Sequence, residues 1–156
     1  MQRYSRQTGV AAVEMAFLLM PLIFIVFGIT EFGRAFYQYN TVVKATRDAA
    51  RYLSGQQPGT KDAEATCLVK YGNYSACLAD PSYTGPLLAP GLATATISIC
   101  DWPRCANHNA QGSDPVVNLV SVTVSNYQFT SLVPFVTSGL STITFSDIHT
   151  TMKANL

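Results

Sequence analysis

The chain has 156 residues, with ten Lys and Arg against nine Asp and Glu, a formal charge of +1 and only 12% charged residues. This balance leaves no basic face of the kind a DNA or RNA partner needs, so no nucleic-acid partner is expected. The length holds one modest domain plus one dedicated segment, and hydropathy divides the chain in that way: one long apolar block lies in the first third, followed by sequence rich in Thr, Ser, Gly, Pro, Tyr and Asn.

The chain opens with a short polar leader, "MQRYSRQTG", which carries Arg3 and Arg6. An apolar run comes next, interrupted near its start by a single carboxylate, Glu14, and free of charge from Met15 to Ile29. Val10 to Thr30 spans 21 residues, close to the roughly 20 that a helix needs to cross a hydrocarbon core of about 30 Å. The two leading arginines keep the N-terminus cytoplasmic and send the bulk of the chain outward. Pro21 and Gly28 are compatible with a helix in lipid. A cleaved signal peptide competes with this reading, but Glu14 breaks its apolar core and "VFGITEFGRAF" offers no A-x-A site.

An acid inside a membrane helix is costly and calls for a partner. If a peptidase cuts between Gly9 and Val10, the new α-amino group at Val10 on a neighbouring subunit can answer Glu14. The pair would set register, because a misplaced subunit leaves the carboxylate uncompensated in lipid.

The helical period continues past the apolar run. Phe32, Phe36, Tyr39, Val43, Thr46, Ala50 and Leu53 recur at alternating intervals of four and three, so an amphipathic half is expected over residues 31–54. Gly55 and Pro58 supply the stop. Glu31 and Arg34 can pair three residues apart where the helix leaves the membrane. They form either an interfacial salt bridge with a snorkelling arginine or a contact with a neighbouring subunit or platform protein. Gly28 and Gly33 can admit a close helix, although their spacing of five is not G-x3-G.

Together these residues resemble the class III prepilin signal of type IV pilin-like proteins. More narrowly, they resemble the start of a TadE-like minor pilin, or pseudopilin, of the tight-adherence (Flp pilus) system. The resemblance rests on "GVAAVE" at Gly9 to Glu14, the proline in the apolar run, Gly28, Glu31, Gly33 and Arg34, and "ATRDAAR" at Ala45 to Arg51. It covers about residues 8 to 55; Met15 departs from the aromatic residue common after the glutamate.

The resemblance implies that residues 1–9 are a leader ending at Gly9, Val10 is the mature N-terminus, and Glu14 is the recognition and assembly carboxylate. It also implies a prepilin peptidase, other pilin and minor pilin subunits and an inner-membrane assembly platform as partners, and assembly rather than enzymatic work. The expected location is the bacterial inner membrane, single-pass, with the C-terminal domain in the periplasm or pilus. The alternative is an uncleaved single-pass envelope protein whose outer domain binds a ligand or partner.

Residues 55–156 are expected to form the extracytoplasmic domain. "SGQQPGT" reads as a hinge, and Thr60 as the cap of a short helix ended by Gly72. "DPSYTGPLLAPG" reads as a loop, and 93–100, 116–129 and 141–152 as strands, with Val120, Val122 and Val124 facing inward. The whole is expected to be α+β, a long helix packed on a small antiparallel sheet, pilin-like.

Cys67, Cys77, Cys100 and Cys105 all come after the apolar block, and an even count in that context favours disulfides. The local pairing is the simplest of three. Cys100, Cys105 and His108 offer three zinc ligands in competition, although paired C-x2-C knuckles are missing.

No cofactor is expected. His108 and His149 lack a placed nucleophile or carboxylate, and no G-x-S-x-G, HExxH or phosphate loop occurs, so a tethered hydrolase has nothing to recommend it. Tyr71, Tyr74, Tyr83 and Tyr127 are candidates for an exposed contact surface, while Trp102 suits packing in the core or against a disulfide. The sequon at Asn73 is set aside as coincidence in a chain of bacterial type.

Overall fold

A computed structural model describes residues 8–110, 117–134 and 141–155. Most of the expected leader (residues 1–7), the first residue of the expected strand at 116, and part of the segment after Leu132 lie outside the described residues.

One helix, α1, runs unbroken from Thr8 to Leu53, 46 residues, or about 69 Å at 1.5 Å per residue. Pro21 sits inside it without ending it. Its first half is long and apolar enough to cross a membrane, and every residue from Val10 to Phe27 is exposed. A helix stretch that is apolar all round and covered by nothing among the described residues suits lipid, not a water-facing surface.

The second half of α1 is covered on one side. Ala35, Val42, Ala45, Thr46, Ala49, Ala50 and Leu53 are buried, and the buried Thr46 hydroxyl donates to the Val42 carbonyl at 2.8 Å. Small side chains let the rest of the fold approach the helix closely. The expected apolar face therefore holds from Tyr39 onward and fails at its start. Phe32 and Phe36 are exposed, while Glu31 and Ala35 face the domain. The face is chosen by what fits against it, and bulky aromatics do not fit there.

After α1 come α2 (Asp62–Tyr71) and α3 (Tyr74–Ala79), joined by the Cys67–Cys77 disulfide. Gly72 ends α2 in the left-handed conformation, φ 65°, its N–H donating to the Leu68 carbonyl, a position that favours glycine. Thr60 does not cap α2: its hydroxyl donates to the Gln57 carbonyl, and Lys61 occupies the cap without a side-chain bond. The loop expected before the first strand contains a 3-10 turn at Pro90–Ala93.

The main sheet is antiparallel. Strand β1 (Thr96–Asp101) pairs with β3 (Val117–Ser125), which also pairs with β6 (Ile148–Lys153) and, at Val117–Asn118, with the two-residue β2 (Asn109–Ala110). Val120, Val122 and Val124 of β3 are buried, as their alternation requires, on the side that packs against α1. The expected strand at 116–129 breaks at Asn126, whose φ of 57° turns the chain. Beyond this turn the chain forms β4 (Gln128–Thr130), paired with β5 (Thr142–Thr144) in a separate two-stranded sheet. The strand expected over 141–152 is likewise two strands, β5 and β6. The fold is α+β, a long apolar N-terminal helix with a small antiparallel sheet domain.

The segment read as a hinge is tied down. The Gly59 N–H donates to Asp101 Oδ2 at 2.9 Å, and Arg104 bridges Asp101 and Asp62. The Asn155 N–H reaches the Ser54 carbonyl at 2.8 Å. The Cys100–Cys105 disulfide closes the turn beside Asp101.

Candidate functional site

The candidate site residues fall on α1 in two groups. Gly9, Val10 and Glu14 lie on its first turns, all exposed. A Cβ placed on Gly9 would meet nothing within 4 Å. Among the described residues Glu14 has no hydrogen-bond or ion-pair partner.

The second group sits where the apolar half of α1 ends. Thr30 turns its hydroxyl back to the Val26 and Phe27 carbonyls at 3.1 and 2.9 Å, so this polar group adds nothing unsatisfied to the apolar end. One residue later, Glu31 is buried. Arg34 grips it in a two-pronged ion pair, Nε to Oε1 at 3.2 Å and an Nη to Oε2 at 2.9 Å. The same Nη donates to the Thr130 carbonyl at 2.8 Å, and the guanidinium carbon lies 4.4 Å from the Phe129 ring centroid. Glu31 Oε2 also accepts the Leu132 N–H at 3.1 Å.

Glu31 and Arg34 thus form an ion pair that doubles as a clamp. Its planar fork satisfies a carboxylate and a strand-end carbonyl at once, a geometry available to arginine and not to lysine. Within this chain the pair also engages the β4 end of the hairpin, at Thr130 and Leu132. Further along α1, the Tyr127 hydroxyl meets Gln38 Oε1 at 3.3 Å, and the Phe145 ring packs on both Tyr39 and Tyr127. The β4–β5 hairpin is fastened to α1 at both stations.

Gly33 is exposed, and a Cβ on Gly33 or Gly28 would meet nothing within 4 Å. Neither glycine is required for packing among the described residues. Gly91 is different: a Cβ there would collide with the Gln128 carbonyl, so the 3-10 turn lies on β4 only because it has no side chain.

All four cysteines are paired, Cys67 with Cys77 and Cys100 with Cys105. The first pair is buried, the second half-exposed. Ligand atoms of Cys100, Cys105 and His108 lie within 4.8 Å of one another, but disulfide sulfurs are not the thiolates that zinc binds. In this form the trio does not fit a metal. His108 Nε2 instead pairs with Ser121 Oγ at 2.6 Å.

Of the four tyrosines expected on the surface, Tyr74 is exposed, Tyr71 and Tyr83 stack edge to face half-buried, and Tyr127 is fully buried in the core. The placement of Tyr127 results from the break at Asn126, which swings it under Phe145.

No curated protein and no solved structure matches the chain. The family model described as TadE-like protein matches residues 9–51, which is α1 from Gly9 to two residues short of its end. Over this N-terminal helix the chain is similar to TadE-like proteins.

Proposed function

We propose that the chain is a minor pilin, or pseudopilin, that takes part in assembling a tight-adherence (Flp) pilus after a prepilin peptidase cuts it between Gly9 and Val10. The TadE-like match carries the coarser part of this reading: a structural role in the tight-adherence pilus system and association with the membrane and with other pilus components. The single observation behind the finer part is Glu14, an exposed carboxylate that no described residue pairs, in an apolar helix.

Hydrolysis of the Gly9–Val10 peptide bond leaves a carboxylate on Gly9 and an α-amino group on Val10. That amine, on an incoming subunit, pairs with Glu14 of the subunit already in place. In hydrocarbon an ion pair is strong and a lone carboxylate is penalised by several kcal/mol, so the pair acts mainly as a gauge of axial register. The orientation is set by the flanking charges: N-terminus in the cytoplasm, anchor in the bacterial inner membrane, sheet domain outside.

The test is intact mass and N-terminal sequencing of the protein extracted from membranes of cells with an active prepilin peptidase. A chain beginning at Val10 is expected. One that keeps Met1 while pili assemble rejects processing and leaves an uncleaved, single-pass envelope protein. Glu14→Gln is expected to insert normally in the membrane and to be lost from assemblies; pili that form normally with this variant reject the pairing.

A further inference from the structure

The Glu31–Arg34 clamp does more than fasten a hairpin; it sets the height at which the hairpin stands. Helical side chains slant toward the N-terminus, so the Glu31 carboxylate reaches back along α1 toward the end of the apolar segment at Thr30. The Leu132 N–H is held on that carboxylate, and the Thr130 carbonyl on Arg34. The chain at Leu132 therefore lies level with the apolar-to-polar boundary of the helix. The α1 residues that pack on β3 and β6 begin more than a turn further out, around Val42.

At that level large apolar side chains stay uncovered beside the small hydroxyl-bearing Thr30, Thr130 and Thr142. Leu132 is 76% exposed and Phe32 on the helix 74%, and Pro134 is exposed as well. A scattered exposed leucine on a water-facing surface needs no explanation. This one is held by its own long-range hydrogen bond to Glu31, with a second at Thr130 two residues before it, at the height where the helix enters lipid.

We propose that Leu132, together with Pro134, is a second point of membrane contact, seated in the headgroup–acyl boundary beside α1. The partner is the phospholipid bilayer surface, recognised through apolar burial and not through a charged headgroup: the cation nearest this point, Arg34, is already engaged by Glu31, Thr130 and Phe129. The inference rests on the reading of residues 10–30 as a membrane anchor. With one contact through α1 and a second through Leu132, the head is fixed in rotation and tilt against the bilayer, as a single-helix tether alone would not fix it.

All four native cysteines are in disulfides, so a single introduced cysteine labels cleanly. In the full chain reconstituted into phosphatidylcholine nanodiscs, nitroxides are placed at Leu132→Cys, Pro134→Cys, Met20→Cys within the apolar half of α1, and Gln57→Cys beyond its far end. Accessibility to dissolved oxygen, which concentrates in lipid, is compared with accessibility to a water-soluble nickel chelate. The oxygen-to-nickel ratio at 132 and 134 is expected to shift away from the value at 57 toward that at 20. If 132 and 134 read like 57 while 20 reads as lipid, the second contact is overturned and the anchor stands. If 20 also reads as water, the anchor itself is wrong and the inference falls with it.

Discussion

The guanidinium of Arg34 lies over the Phe129 ring, 4.4 Å from its centroid, and so joins a strand to a helix that the chain order separates by nearly a hundred residues. The same group holds Glu31 with two bonds and the Thr130 carbonyl with a third contact. Lysine keeps the charge but cannot fork or stack in this way. Arg34→Lys is therefore expected to weaken hairpin docking by about 2 kcal/mol, a roughly thirtyfold faster opening. Amide hydrogen exchange at Leu132 in the detergent-solubilised full chain measures it. Exchange at Leu132 as slow in the variant as in the parent would show that the clamp does not hold the hairpin.

Gly91 offers a sharper steric test. Its missing side chain is the space that the Gln128 carbonyl occupies, and a backbone group cannot swing aside as a flexible side chain can. Gly91→Ala is expected to cost about 1–3 kcal/mol by overpacking. Gly55→Ala is the control: a Cβ there meets only the Tyr52 carbonyl, at 4.0 Å. Thermal denaturation should separate the two variants by several degrees, with Gly91→Ala the lower. Equal midpoints would mean that the turn can move off β4 at little cost.

How much of this arrangement can be read from residues alone depends on the range of the interaction. The long helix is legible because apolar length and period are local properties, and β3 because Val120, Val122 and Val124 alternate. The disulfides are legible as a class because even cysteine counts in an outer domain suggest pairing. The clamp is not legible. Glu31 and Arg34 advertise only each other, while Thr130 and Leu132 stand 96 and 101 residues away from their partners. The exposure of Phe32 and Phe36 is hidden for the same reason: helical periodicity marks an apolar stripe but does not say which small-residue stripe beside it the sheet will choose. Tyr127 could have been placed inside by noticing that Asn126 tolerates the left-handed turn ending β3, which inverts the side chains beyond it.

The two disulfides should differ in vulnerability. Cys67–Cys77 ties α2 to α3 inside the core, while Cys100–Cys105 sits half-exposed on the turn after β1. Graded thiol reductant is expected to open Cys100–Cys105 first, as monitored by alkylation and peptide mass mapping. Loop length orders the stability costs in the same sense: sequence separations of 10 and 5 correspond to about 3 and about 2 kcal/mol lost on removing each pair. Opening of Cys67–Cys77 before Cys100–Cys105 would contradict this assignment.

Acid should act through the cluster that pins the start of the domain. Burial alone would raise the Asp101 carboxyl, but the bond from Arg104, the Gly59 N–H and the charges of Arg104 and His108 outweigh it and hold it below its ordinary 3.8. The Arg104 guanidinium is correspondingly pushed up by Asp101 and Asp62. A carboxyl depressed in the folded state binds protons less readily than in the unfolded chain. The stability it contributes is thus complete above pH 3.8 and drains away as pH falls from there through the lower folded value. Glu64, held below 4.5 by Lys61 against the opposing effect of burial, adds a second loss of the same sign. The discriminating variant is Asp101→Asn, which deletes the titrating group and breaks the bridge between Gly59 and Arg104. It should be less stable than the parent at pH 7, and the gap should narrow as both are taken below pH 3.8, because protonated Asp101 holds Arg104 no better than asparagine does. Denaturant midpoints across that range measure the gap; one that stays constant down to the lowest pH would place the acid sensitivity elsewhere.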